Sequence, residues 1–253
     1  MTMQFRRTDY ERMAPIYDSG RSLPLEWLDA WRAELSPYLS SPGRRVLDLG
    51  SGTGLWSDAL STWFDAEIVG LEPSEAMRRA AVGKGLPPGG TIVGGTAEHV
   101  PLADGSCDCA WLSTVVHHIA DLEACASELR RVLTPNGTVF IRNSFGDRLD
   151  GIHWLEFFPE ARRVASRRWP TVEATARAFG SAGFEVRALH SVPETVAGDL
   201  HSYYERISVR ANSTLTLISD EEFESGLARL RQAAERQSTA KEVVDRRDLL
   251  VLR

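Results

Sequence analysis

Between Arg45 and Asn143 short apolar runs alternate five times with amphipathic stretches, and nothing else in the chain restricts its fold so strongly. The runs "RVLDL", "AEIVGLE", "TIVGG", "CDCAWLST" and "TVFIRN" read as strands. The stretches "LWSDALSTWF", "SEAMRRAA" and "DLEACASELRRVL" read as helices. Ser74 is suited to cap the second of these. In the third, Leu122, Cys125, Leu129 and Val132 or Leu133 fall at helical spacing. "TPNG" is a turn signal before the fifth strand. Strands and helices in this order, joined by short connections, predict a doubly wound, mostly parallel α/β sheet.

The flanks extend the pattern. Trp27, Trp31, Leu35 and Leu39 stand four apart behind Pro24, which predicts an amphipathic helix over residues 24–39. "TVEATARAFGSAG" reads as a helix from Thr171 to Gly183 that leads into the strand "FEVRALH". "SDEEFESGLARL" carries a capping box, Ser219 with Glu222, and then places Phe223, Leu227 and Leu230 on one face. "DLLVLR" reads as a last strand.

Composition excludes some functions. With 253 residues, a net charge of −6 and a pI near 5.6, the chain lacks the positive field of a nucleic-acid or anionic-membrane binder. No apolar run reaches the length of a membrane span, and "MTMQFRRTDYERMAP" has no secretory h-region. Three cysteines do not make a disulfide framework, so a reducing cytoplasm is the expected setting. Cys107 and Cys109, two apart on a strand, are expected to share one buried face.

The first strand runs into "DLGSGTG". Glycines at 50, 52 and 54 permit a tight strand-to-helix turn and close approach of a ligand to the main chain. The dinucleotide fingerprint needs glycine where Leu55 stands, and a Walker loop needs a lysine that is missing. Asp48 ends the strand where a carboxylate needs hydrogen-bond donors. Glu72 ends the next strand, where an acidic group can accept both hydroxyls of a ribose.

"VLDLGSGTG", "VGLEPSEAM", "GGTAEHVPLADGSCDCAWLSTVVHHI" and "LRRVLTPNGTVFI" resemble, in order and spacing, the successive motifs of class I S-adenosylmethionine-dependent methyltransferases. The resemblance covers about residues 40–145 and is closest to the small-molecule group that includes ubiquinone and natural-product methyltransferases. It implies a Rossmann-like seven-stranded sheet with an antiparallel C-terminal strand and a helical cap. The expected cofactor is S-adenosylmethionine. The implied layout is a single domain: 1–40 a helical cover, 41–145 the cofactor-binding core, 146–253 the acceptor-side cap with the last two strands.

The resemblance also implies roles. Gly50, Ser51 and Gly52 would face the methionine part of the cofactor, with Asp48 at the strand end and Ser113 beside it. Glu72 would hold the ribose, and Pro73 and Met77 would line the adenine. Thr96 stands where the family usually has an acidic residue, so Ala97 main chain and Glu98 would cover that edge. Tyr17 would close over the cofactor and Arg21 would meet its carboxylate; a helix-edge tyrosine and a solvated arginine are an equal reading.

Methyl transfer needs alignment of a nucleophile and exclusion of water, with a base where the acceptor must lose a proton. His117 and His118 follow the fourth strand, and neighbours on a helix point apart, so one is expected to reach a cavity. His117 is the candidate base or orienting group, with His118 packing near the cofactor; a structural histidine is an equal reading for each. No ligand cluster marks a metal site.

For the acceptor, "GIHWLEFFPEARRVASRRWP" offers His153, Trp154 and Phe157 as apolar walls, and Arg162 and Arg168 from a basic cluster as anion contacts. "DLHSYYERISVRANSTL" adds Tyr203 and Tyr204 on a lid. The expected partner is a small molecule, anionic or prenyl-like, met by a monomer or homodimer, with oxygen, nitrogen and carbon acceptors all open. The alternatives are a protein of this fold that binds the cofactor without transferring methyl, such as a cyclase, isomerase or regulator, and a nucleotide-dependent oxidoreductase.

Overall fold

The computed structural model describes residues 10–21 and 23–253, except the side chains of residues 10, 12, 13, 15, 16 and 21. Its centre is a seven-stranded sheet of order β3-β2-β1-β4-β5-β7-β6. The strands are β1 (Arg45–Leu49), β2 (Glu67–Leu71), β3 (Thr91–Val93), β4 (Cys107–Ser113), β5 (Leu133–Asn143), β6 (Val186–Ala197) and β7 (Val243–Leu252). The first five are parallel, and β7 lies antiparallel between β5 and β6. The order of the strands reverses between β1 and β4, which opens the crevice where ligands bind in sheets of this kind.

The helices that cross between strands are α3 (Leu55–Phe64), α4 (Glu75–Lys84), α5 (Leu122–Val132) and α7 (Val172–Ser181). Their starts follow the sequence: Ser74, Asp121 and Thr171 each accept N–H groups of the first turn. Helix α2 (Asp29–Leu39) follows a 3₁₀ turn at Leu25–Leu28 and buries Trp31, Leu35 and Leu39 on one sheet face, beside Trp56 and Leu60 of α3. Cys125, Leu129 and Phe179 of α5 and α7 fill the opposite face. Helix α1 (Tyr10–Arg21) packs on α4; the sequence led to a helical cover over 1–40 without placing an element at these residues.

A third core belongs to the cap. It joins α6 (Pro159–Arg168), α8 (Leu200–Ser208) and α9 (Asp220–Arg236) to the outer ends of β6 and β7. Its residues run from Leu149 to Val243, so its interior uses nothing from the first half of the chain. Ser219 and Glu222 form the anticipated capping box of α9.

Three expectations change. Strand β5 starts at Leu133, so "TPNG" lies within it; Cys107 pairs with Leu133 and Cys109 with Thr138, and the excess residues of β5 form a bulge. The same irregularity breaks the alternation of β4. Cys107 therefore faces the core with Ala110 and Leu112, whereas Cys109 faces the other with Trp111, and both are free thiols. Strand β6 continues past His190 to Ala197 because β7 pairs along its length, and its edge position tolerates Pro193. Among the described residues no helix is long and apolar enough to cross a membrane.

The antiparallel end of the sheet is fastened by buried charge. Glu194 on β6 is 2% exposed and accepts from Arg142 of β5, from Arg247 of β7 (3.2 Å) and from the indole N–H of Trp31 (2.8 Å). Burial alone would raise its pKa, yet the two guanidiniums hold it down at about 2. That stabilisation is complete above the ordinary glutamate value and is lost as pH falls through about 2. Glu194→Gln leaves two buried cations on one neutral partner, and a loss of about 3–5 kcal/mol is expected in urea unfolding at pH 7. The deficit should shrink toward pH 2, and equal stability at pH 7 would show that the cluster holds nothing together.

Candidate functional site

The glycine turn after β1 shapes the site. Gly50 and Gly52 have φ of +74° and +56°, a region that side chains rarely adopt. A Cβ on Gly50 would also lie 2.6 Å from Val115 Cγ2. The turn is clipped to the end of β2: Gly50 and Ser51 N–H donate to the Leu71 carbonyl at 2.7 and 3.2 Å. Glu72 completes the clip, accepting Gly52 N–H at 3.0 Å and Ser74 N–H at 2.8 Å. Burial raises the Glu72 pKa, and these N–H groups oppose the rise.

Helix α1 crosses the mouth of the turn. Glu11 accepts the Ser74 hydroxyl at 2.8 Å and Ala76 N–H at 3.2 Å, at the start of α4. Asp18 accepts the Thr53 hydroxyl at 2.5 Å and pairs with Lys84 at 2.8 Å. The anticipated contact of Arg21 involves a side chain outside the described residues.

Two cavities flank the turn, and Gly50 lines both. The larger, of ≈ 420 Å³, is walled by Pro73, Thr96, Ala97, Glu98 and the histidine pair, with Arg168 and Trp169 of the cap above. Its size suits a small organic ligand. Glu98 accepts Ala120 N–H at 3.1 Å, which ties two loops of this wall together. The second cavity, of ≈ 90 Å³, is polar and lies over the ends of β1, β4 and β5. Tyr17, Asp48, Ser51, Gly52 and Ser113 form one side of it; Trp154 and Tyr203 belong to the other. A small pocket of ≈ 30 Å³ shares His117 and His118 with the first and Thr114 and Arg247 with the second.

Both histidines reach the cavity, contrary to the expectation of one. They sit on a 3₁₀ turn, Val116–His118, with ring centroids 4.1 Å apart, so the rings lean the same way. Asp48 is 1% exposed, accepts the Ser57 hydroxyl at 2.7 Å, and is raised by burial to about 7. Thr114 was not read from the sequence. Its φ of +58° is a strained value for a β-branched residue, held by its N–H on the Arg142 carbonyl (2.7 Å) and by Arg142 on its hydroxyl (2.8 Å).

Other anticipated residues stand elsewhere. Glu72 and Met77 are buried behind the wall and line neither cavity. His153 packs its ring between Phe157 and Tyr203, outside both cavities. Phe157 lends its carbonyl to Arg229, and Tyr204 accepts from Arg231 at 2.5 Å. Arg162 turns outward to Asp150 at 2.6 Å and lines a shallow surface recess. Phe157 and Tyr204 pack against the cap core away from both cavities and Arg162 faces outward, orientations that sequence alone could not give. Arg142, Glu194, Asp245 and Arg247 line the polar cavity unanticipated; their signal was charge within otherwise apolar strands. Among the described residues no cluster of three or more metal-ligand side chains occurs.

Residues 47–141 match the family model described as a methyltransferase domain. A ubiquinone/menaquinone biosynthesis C-methyltransferase of Syntrophotalea carbinolica is 33% identical over 143 residues, 54% of this chain and 60% of that protein. A malonyl-[acyl-carrier protein] O-methyltransferase of Laribacter hongkongensis is 31% identical over 153 residues, 56% of this chain and 51% of that one. The chain thus spans about half to three-fifths of the length of these relatives. A SAM-dependent methyltransferase from Aquifex aeolicus shares the fold, with a TM-score of 0.59 at 20% identity over 74% of this chain and 94% of that one.

The raised pKa of Asp48 has a measurable sign. A carboxyl whose folded pKa lies above its unfolded value stabilises at low pH, and the benefit is lost as pH rises through about 7. Asp48→Asn keeps the Ser57 contact without the buried charge. Its urea midpoint should exceed that of the parent at about pH 8 and match it near pH 4. A variant equally stable at both values would mean that Asp48 is solvated.

Proposed function

We propose that this chain, whose residues 47–141 match a methyltransferase domain, binds S-adenosylmethionine across the glycine turn and methylates a small-molecule acceptor in the polar cavity. One observation carries this reading: the bare main chain at Gly50 faces both cavities, so a ligand lying on it reaches from one to the other.

The residues present fit such a cofactor. Pro73, Ala97 and Ile119 give the larger cavity flat apolar walls suited to an adenine, with the Thr96–Glu98 loop at its edge. Gly52 leaves space toward Tyr17, since a Cβ there would meet Tyr17 Cε1 only at 4.0 Å. Asp48, Ser51 and Ser113 make the polar side suited to an aminocarboxypropyl group. Asp48, poised near neutrality, ionises readily beside a cation. When bound, the cofactor supplies a methyl group already activated on a sulfonium.

The protein then has to align and to dry. Helix α1 covers the mouth through Glu11 and Asp18, and cap residues Trp169 and Leu217 cover the larger cavity. Exclusion of water and orientation of the acceptor supply the rate, an effect of roughly 7–11 kcal/mol in the best oriented systems. His117, at the junction of the pockets, takes or orients the acceptor proton. Strained Thr114 and its Arg142 clamp fix the end of β4 beside the reacting centre.

Calorimetric titration with S-adenosylhomocysteine, with NADH as control, is the direct test. Micromolar binding of the homocysteine alone is expected, and no binding or a preference for NADH sinks the reading. Glu72→Ala frees the N–H groups of Gly52 and Ser74, so affinity should fall by about one to two orders of magnitude. His117→Ala should lower turnover on an identified acceptor with cofactor affinity nearly intact; parallel loss of both would make the ring part of the cofactor wall and not a base.

A further inference from the structure

We infer that the acceptor presents an uncharged oxygen, a carbonyl or hydroxyl, to the polar cavity, which takes it with hydrogen-bond donors and not with net charge. The inference rests on the methyl-transfer reading above and names the substrate class of that site.

The first ground is charge balance. Among the described residues the charged groups on the cavity wall are Arg142, Arg206 and Arg247 against Asp48, Glu194 and Asp245. Arg142 and Arg247 pair internally with Glu194 and Asp245, and Asp48, raised by burial to about 7, accepts from Ser57. Glu194 is engaged through both oxygens, by Arg142, Trp31 and Arg247. Asp245 accepts from Arg247 at 3.0 Å and from His153 N–H at 2.8 Å. An incoming carboxylate or phosphate would have to displace one of these carboxylates or stay uncompensated in a buried site, and both are unfavourable. The arginines that suggested an anionic acceptor do not alter this, because Arg162 is turned outward and Arg168 lines the other cavity.

The second ground is a set of buried polar atoms without hydrogen-bond partners. The Trp154 indole N–H and the Asn143 side-chain oxygen are of this kind, and the Tyr203 hydroxyl, beside the Trp154 main chain, has no acceptor for its proton. Tyr203 and Trp154 are each 2% exposed and line the polar cavity, and Asn143 is 0% exposed and lines the pocket beside it. Such groups are rare in folded proteins, and several in one place mark where a ligand or water completes the set. The indole can only donate. Burial, and then the Asp245 charge, keep the Tyr203 phenol protonated, so it too offers a proton. Arg247 spends three of its five N–H groups on Glu194, Ser144 and Asp245, and it borders both pockets. The indole and the phenol donate, Asn143 Oδ1 accepts, and the unpartnered Ser51 Oγ on the glycine-turn side of the cavity can do either. A carbonyl oxygen answers the donors, and a hydroxyl answers them and gives its proton to Asn143.

Acetophenone and benzoate share shape and differ in charge, so the pair separates donor recognition from charge recognition. Each is titrated into protein saturated with S-adenosylhomocysteine at pH 7, with ligand-observed NMR as readout. Acetophenone should bind at least about tenfold more tightly than benzoate. Tyr203→Phe and Trp154→Phe should each weaken acetophenone by about three- to tenfold, with S-adenosylhomocysteine affinity retained. Benzoate binding as well as the ketone, or no ketone binding to protein that does bind S-adenosylhomocysteine, overturns the inference alone. Ketone affinity unchanged in both folded variants overturns it too, and water is then the partner of the buried groups. Failure to bind S-adenosylhomocysteine overturns the cofactor reading and this inference with it. If either variant fails to fold, the parent protein with the two probes still decides.

Discussion

Glu194 is the buried charge on which the antiparallel half of the molecule depends. A carboxylate at 2% exposure is tolerable only with nearby opposite charge, and it has two guanidiniums and an indole N–H. Those donors come from β5, β7 and α2, so one side chain fixes the register of three strands and the seat of a helix. The same cluster forms part of the polar cavity wall, and Arg142 extends from it to hold Ser113 and Thr114 at the end of β4. Fold stability and site geometry thus share atoms. The Arg142 guanidinium also lies 5.1 and 4.9 Å from the ring centres of Trp31 and Trp56, which adds cation–π attraction on the core side.

The parallel half could be read from the sequence because its signals are local. A strand, a left-handed glycine turn and a capped helix each announce themselves within about ten residues, and Ser74, Thr171 and Ser219 cap where expected. What escaped was non-local. The extension of β6 depends on a partner strand some fifty residues later. The faces of Cys107 and Cys109 depend on a bulge in the neighbouring strand. The left-handed Thr114 depends on Arg142, and no local propensity favours it. Helix α1 carries glycine and proline within a short polar stretch, so its own pattern is weak.

The candidate site divides the same way. Residues on the turn and on the loops after β2, β3 and β4 were named from sequence and line the cavities, except Glu72 and Met77, which support the wall from behind. The acceptor side was named by composition, and composition has no direction. Aromatics and arginines of the cap divide according to helix rotation, which left Trp154 and Tyr203 on the polar cavity and Phe157, Arg162 and Tyr204 off it. The charges that do line the polar cavity lie on strands, where apolar neighbours disguised them.

The cap has a hydrophobic interior of its own, drawn wholly from the second half of the chain. Packing changes in that interior act first on Trp154 and Tyr203, which belong to it and line the polar cavity across from Gly50. Packing changes around Phe158, Phe223 or Leu230 can tilt Trp154 and Tyr203 while the Gly50–Leu71 and Glu72–Gly52 hydrogen bonds stay as they are. The cap face of the polar cavity can therefore change its residues without changing those that form the glycine turn.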